Sequence, residues 1–350
     1  MRRETTSGLD RRRLEILEAV VRLHIETGRP VSSGLVERSL QRAVSSATIR
    51  AEMKRLEDTG FLEQPHTSAG RLPTDAGFRV FVDRLRAGWA LRRHEAPAEL
   101  RAVAQRDIRD SLGRQDRWKA LAGLLSRLSE NISVIVGPSR LAARVERVEV
   151  YPKASDRGLM VVILDTAQVR TGLVDLPDGV ARTVLAEAVR ELNERIAGRT
   201  LAEIRGGLLD RVDLVPTPVS ACAGHMARAG RELLTAAVSE DVGVDGVGRV
   251  LAVPELQETC SLQALLRFME APDRISRTLR EAVGRPGDEV GVWIGGENPI
   301  GDLRSFSVLT GAFELDGRPG LLAVIGPRRM SYQRVFHGID ILRDALARVS

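Results

Sequence analysis

The sequence predicts an α+β protein, with a small helical head closed by a two-stranded hairpin and a larger module of antiparallel sheet and helices behind it. Three observations predict this. Through the first 60 positions apolar residues recur at three- and four-residue steps, with tight connections between the periodic stretches. Residues 61–74 then place two short extended pieces around a Pro-His-Thr-Ser-Ala turn. From Ile132 the pattern becomes that of strands, gives way to a mostly helical stretch over 200–284, and returns to strands from 289.

The first helix runs between Asp10, a plausible N-cap, and the stop signal Gly28 with Pro30, and its apolar face carries Leu14, Leu17, Val20, Val21 and His24 or Ile25. A second helix covers about 33–40. A turn at 41–44 leads to a third helix from Ser45 or Ser46 to about Asp58, ended by Gly60. Three short helices so connected are the helix-turn-helix pattern, and extended pieces at 61–64 and 70–73 make a hairpin small enough to be its wing. Thr74-Asp75 cap a helix through Phe78, Phe81, Val82 and Leu85, and 87–130 reads as a charged helical connector interrupted by Gly113. Strands follow at 132–136, 144–151, 159–165 and 169–176, then a helix at 180–196. Strands return at 289–294, 305–315 and 321–325 before a last helix at 333–348. One antiparallel sheet made from both groups of strands and interrupted by the helical stretch is the simplest architecture.

Length and composition bound the function. At 350 residues, two or three domains are expected, and 43% hydrophobic residues suffice for real cores. No apolar run approaches the ~18 residues of a membrane-spanning helix, and Met-Arg-Arg-Glu-Thr-Thr-Ser is no secretion leader, so a soluble cytoplasmic protein without membrane contact is expected. Cys222 and Cys260 have no partner at metal-ligand spacing and read as ordinary thiols. Residues 1–90 hold 16 Lys+Arg against 12 Asp+Glu, so the head carries +4 of the net +5 and is where a polyanion would be met. Arginine abundance alone decides nothing, because 49 arginines against three lysines can reflect base composition.

The third helix is the informative element. On a wheel of ~100° per residue, Met53 and Leu56 fall near Ile49 and face inward, whereas Ala47, Arg50, Ala51 and Lys54 lie opposite. Small residues let a helix approach the major groove, and Arg and Lys reach guanine edges or phosphates. Ser45 and Ser46 at its start offer hydroxyl and N–H groups to phosphate. A solvated face with two incidental cations would look the same in isolation. The adjoining hairpin shifts the balance, because His66, Thr67, Ser68 and Arg71 sit where a flanking phosphate or minor groove would lie.

The string Val44-Ser-Ser-Ala-Thr-Ile-Arg50, with Leu62-Glu-Gln-Pro-His-Thr-Ser-Ala-Gly-Arg-Leu-Pro-Thr74, resembles the heat-inducible transcription repressor family, HrcA. The likeness continues at Leu192-Asn-Glu-Arg-Ile-Ala-Gly198, Ile294-Gly-Gly-Glu-Asn-Pro299 and Val324-Ile-Gly-Pro-Arg-Arg-Met-Ser-Tyr332. It implies a winged-helix domain (1–88), a connector (89–130), a GAF-like domain in two parts (131–199 and 285–350) and an inserted dimerisation domain (200–284). It further implies repression of chaperone operons by a homodimer on an inverted-repeat, double-stranded operator, release on heat stress, and a chaperonin as modulator. The DNA-binding set is then Ser45, Ser46, Ala47, Thr48, Arg50, Ala51, Lys54, His66, Thr67, Ser68 and Arg71. Ala51 stands where the family usually has Asn, removing an adenine-reading amide, and Ser33-Gly34 replaces a usual basic residue. The stretch 246–256 matches the family poorly.

Catalytic and metal chemistry has no support. His24, His66, His94, His225 and His337 form no His-x-x-x-His pair and no triad, and no cofactor or metal is expected. Gly295-Gly-Glu-Asn298 and Gly326-Pro-Arg-Arg329 match no phosphate-binding fingerprint and read as strand-end turns. Two alternatives remain: a metabolite-responsive regulator with a ligand-binding GAF-like domain, and, weaker, an enzyme fused to a DNA-binding accessory.

Overall fold

The computed structural model describes residues 9–40, 44–66, 69–91, 98–114, 116–154, 156–166, 168–208, 217–235, 241–251, 259–283 and 290–348. α1 (Arg11–Thr27) begins where the Asp10 side chain accepts the Arg13 N–H at 2.9 Å. It ends at Gly28, whose φ of +66° is the left-handed cap that glycine adopts without strain. α2 (Ser33–Ser39) and α3 (Ser46–Asp58) start on serine N-caps, Ser32 and Ser45. Leu17, Val20, Val36, Ile49, Met53 and Leu56 of these helices share one core. β1 (Leu62–Glu63) and β2 (Leu72–Pro73) pair antiparallel, and Val31 bridges to Arg71, which ties the α1–α2 connection to the hairpin.

In chain order there follow α4 (Asp75–Leu91), α5 (Ala98–Leu112), α6 (Arg117–Ser129), β3 (Ile132–Val136), β4 (Val145–Pro152), β5 (Arg157–Leu164), β6 (Val169–Asp175), α7 (Arg182–Ile196), α8 (Leu201–Arg205) and α9 (Pro218–Thr235). The rest comprises β7 (Val242–Asp245), α10 (Val247–Leu251), α11 (Thr259–Met269), α12 (Pro272–Val283), β8 (Gly291–Ile294), β9 (Phe306–Leu315), β10 (Arg318–Pro327) and α13 (Tyr332–Ala347). No helix among the described residues is long and apolar enough to cross a membrane.

The chain divides into two compact units, 1–137 with 242–350, and 138–241. In the first unit a five-stranded antiparallel sheet has the order β7-β3-β10-β9-β8. Asp316 and Gly317, both at positive φ, make the two-residue turn from β9 to β10, the turn whose twist suits a hairpin. One sheet face, with Ile135, Leu309 and Leu322, packs on α6 and α13 in a core continuous with that of the head. The other face, with Val134, Val308 and Ala323, packs on α11 and α12 through Phe268, Ile275 and Leu279. Burial on both faces explains why these strands read as unbroken apolar runs.

In the second unit β4, β5 and β6 form their own antiparallel meander. Val148, Met160, Val162 and Val174 bury one face of it against Leu185 and Leu192 of α7 and Met226 of α9. The Asn193 amide accepts the Val148 N–H at 2.7 Å and donates to its carbonyl at 2.8 Å, joining α7 to the β4 backbone.

The strands thus divide between two sheets, where the sequence suggested one. Only 132–136 of the early strands meets the late ones; 144–176 pairs locally across short turns and closes its own core with α7 and α9. The contiguous unit that interrupts the large sheet is accordingly 138–241, earlier than the expected 200–284. The strand β7 lies within the stretch 200–284 that the sequence marks only as mostly helical. Its four residues, Val-Gly-Val-Asp, are too few to show a period, and Gly243 is there because a Cβ would lie 2.1 Å from the Trp118 backbone.

Candidate nucleic-acid interface

α3 sorts its residues as the helical wheel requires. Ile49, Met53 and Leu56 are fully buried, while Ala47, Arg50, Ala51 and Lys54 are exposed. Among the described residues no carboxylate pairs with Arg50, and the residue is exposed. Lys54 differs: its Nζ lies 3.2 Å from Asp58 and 3.3 Å from Glu57. Hydrogen bonds that its ammonium donates to Asp58 and then to Glu57 hold it above the ordinary lysine range.

The hydroxyls at the start of α3 build the turn before it. Ser45 Oγ accepts the Thr48 N–H at 3.3 Å and lies 3.0 Å from Thr48 Oγ1. Ser46 Oγ lies 3.0 Å from Ser33 Oγ of α2, and the Ser46 N–H donates to Glu37 Oε1 at 3.2 Å. A carboxylate therefore already sits where the helix N-terminus would receive an anion.

In the hairpin, Gln64 donates to the Ala69 carbonyl at 2.9 Å, and Gly70 is packed so closely that a Cβ would lie 2.5 Å from the Val31 carbonyl. His66 is exposed; Thr67 and Ser68 lie outside the described residues. Arg71, expected to face phosphate, points inward. Its Nε donates to Glu57 Oε2 at 3.0 Å and its side chain is 12% exposed. The physical reason is Glu57, the penultimate residue of α3, which offers the mostly buried guanidinium its counter-charge.

Several ion pairs that position this surface join residues far apart in the sequence and have no local signal. Glu52, 6% exposed, accepts from Arg13 Nε of α1 at 3.0 Å and from Arg55 at 2.9 Å. The Glu52–Arg55 spacing was visible; Arg13, 39 positions away, was not. Asp75, at the start of α4, accepts the Gly296 N–H at 2.8 Å and pairs with Arg328 at 3.1 Å. Arg79 of α4 grips both Glu297 oxygens, one at 3.0 Å, and donates to the Val292 carbonyl at 2.8 Å. Burial works against the Arg79 charge, but Glu297 and Asp83 together outweigh it and raise the pKa.

Residues 116–336 match the family model described as the HrcA protein C terminal domain. The heat-inducible transcription repressor HrcA of Natranaerobius thermophilus is 32% identical over 346 residues, covering 94% of this chain and 93% of that protein. This chain belongs to the HrcA family. The HrcA repressor of Moorella thermoacetica is 30% identical, covering 97% of both chains. A crystal structure of a protein described only as hypothetical superposes with TM-score 0.61 at 24% identity, covering 97% of this chain and 98% of that one, a likeness of fold.

Membership gives the remaining HrcA-like strings a structural place. Asn193 is the α7–β4 tie, and Gly295-Gly-Glu297 is the 3-10 turn after β8 whose backbone and Glu297 meet α4. Tyr332 opens α13 fully buried, its hydroxyl 2.8 Å from Ser307 Oγ and donating to the Arg328 carbonyl at 2.7 Å. Burial pushes that hydroxyl far above the usual tyrosine range.

Proposed function

We propose that this HrcA family member is a winged helix-turn-helix repressor of heat-shock operons that holds double-stranded, inverted-repeat operator DNA as a homodimer and lets go on heat stress. The carrying observation is the outward face of α3, in which Arg50 stands exposed and without an acidic partner among the described residues, between Ala47 and Ala51. That is the geometry of a helix able to approach base edges closely and present one planar fork to a guanine. Arg50→Ala should cost about 1–3 kcal/mol of specific binding in fluorescence-anisotropy titrations. Lys54→Ala should cost less, since Lys54 must first exchange Glu57 and Asp58 for a phosphate. An R50A protein that is folded and binds operator as tightly as the parent sinks the assignment of α3.

The five-stranded antiparallel sheet covered by helices supports a GAF-like reading of the module behind the head. For the homodimer, the sheet of the 138–241 unit offers the better surface. Its face away from α7 and α9 carries Val169 and Leu173 at 58% and 65% exposure, beside Tyr151 and half-buried Leu159, Val161 and Ile163. Arg147 and Glu149 on the same face pair with each other at 2.8 Å, which leaves the face without net charge from this pair to repel a second copy across a two-fold axis. On this reading the second copy sits on this sheet and not mainly on 200–284. A chaperonin is the proposed modulator of the active fraction.

A further inference from the structure

α4 stands between the DNA-reading surface and the large sheet, and it is fastened at both sides. Toward α3 and the hairpin, the Thr74 N–H donates to the Phe61 carbonyl at 3.1 Å and Thr74 Oγ1 to the Gly60 carbonyl at 2.7 Å. Gly77 lies so close that a Cβ there would be 2.2 Å from the Phe61 carbonyl oxygen. Gly60 and Phe61 directly follow α3, so α4 cannot tilt without carrying α3 along.

Toward the sheet the fastening is ionic. Arg79 holds Glu297 and the Val292 carbonyl at the end of β8, and Asp75 holds the Gly296 N–H and Arg328 just beyond β10. Gly295 makes the approach possible: it takes φ +54°, and a Cβ there would lie 2.2 Å from the Asp75 carboxylate. Phe78, between the two ionic residues, packs on Tyr332 with ring centroids 6.3 Å apart. Partly buried ion pairs return little net stability, because desolvation offsets the attraction. What they supply is direction: a guanidinium gripping two carboxylate oxygens permits one orientation.

We propose that Arg79–Glu297 and Asp75–Arg328 form a latch that fixes α3 relative to the five-stranded sheet, one condition for a dimer to accept only a narrow range of half-site spacings. The spacing half of this rests on the dimeric operator binding proposed above. Two recognition helices must meet major grooves about 34–36 Å apart or a multiple of it. A small tilt at α4 becomes an ångström-scale error at the base edges, which hydrogen-bond geometry does not tolerate. Arg79 and Glu297 here are positioning residues and touch no DNA.

The test pairs a readout without DNA with one on it, using the full chain. Spin labels on genetically encoded amino acids at positions 51 and 316 report the distance from α3 to the β9–β10 turn. The parent should give one narrow distribution; R79A and E297A should each broaden it, and the double variant should be no broader than either single one. If an alanine variant does not fold, R79K, which keeps the charge and loses the fork, should show the same broadening. On operators whose half-sites are moved apart by one base pair, the parent should lose about tenfold in affinity and the variants much less, with single half-site binding unchanged. Identical distributions in parent and variants overturn the latch, whatever the DNA result. Broadened distributions with an unchanged spacing preference overturn its role in specificity. A parent that binds no operator at any spacing rejects the dimeric-repressor reading instead, and the distances still judge the latch.

Discussion

Arg71 and Arg50 carry the same guanidinium within one surface, and their surroundings give them different work. Arg71 is held by Glu57 and is 12% exposed, whereas Arg50 is exposed and has no carboxylate partner among the described residues. A cation that releases counterions from DNA contributes to the slope of log affinity against log salt; one already neutralised inside the protein does not. R71A should therefore leave that slope unchanged within error while lowering the unfolding midpoint, by roughly 1 kcal/mol for a partly exposed pair. A slope flattened by about one ion would return Arg71 to the phosphate backbone.

At the scale of elements, β6 is conspicuous because two of its outward residues, Val169 and Leu173, are exposed apolar side chains on an edge strand, a position that proteins usually protect with charge. Leu173→Asp changes a side chain that is 65% exposed, so it should leave the unit of 138–241 folded. It should shift the species seen in sedimentation velocity from dimer to monomer and weaken binding to the full operator more than to one half-site. A parent and an L173D protein of equal dimeric mass would remove the second copy from this face.

At the scale of the whole molecule, the large sheet joins segments from distant parts of the chain: Ile132 lies opposite Ile325, and Ser133 opposite Asp245. Loop closure must precede such pairing, so it is slow and leaves apolar edges open to aggregation. The head, by contrast, folds from neighbours. On the proposed reading, the active fraction of a chain built this way would depend on chaperone capacity, and heat-unfolded competitors would lower it. Denatured protein should recover operator binding several-fold better with chaperonin and ATP than without, because slow non-local pairing competes with aggregation. Equal recovery in both, with reversible loss of binding on warming alone, would favour intrinsic temperature sensing.

The sequence by itself determined most of what is local. Asp10, Ser45, Gly28 and Gly60 mark helix ends, the 3.6-residue period places Ile49, Met53 and Leu56 inside, and the opposite face of α3 then follows. The strings that resemble HrcA repressors carried that resemblance because they are contiguous. Only the tertiary structure decided which strands share a sheet, since a run such as Ile132–Val136, buried on both faces, has no alternation to name its neighbour. Only the tertiary structure turned Arg71 inward, joined Glu52 to Arg13, and set Asp75 and Arg79 against Arg328 and Glu297. Helix caps and helix faces are fixed by residues within a turn or two. Ion-pair partners and strand neighbours are fixed by how the chain closes on itself, which no local pattern encodes.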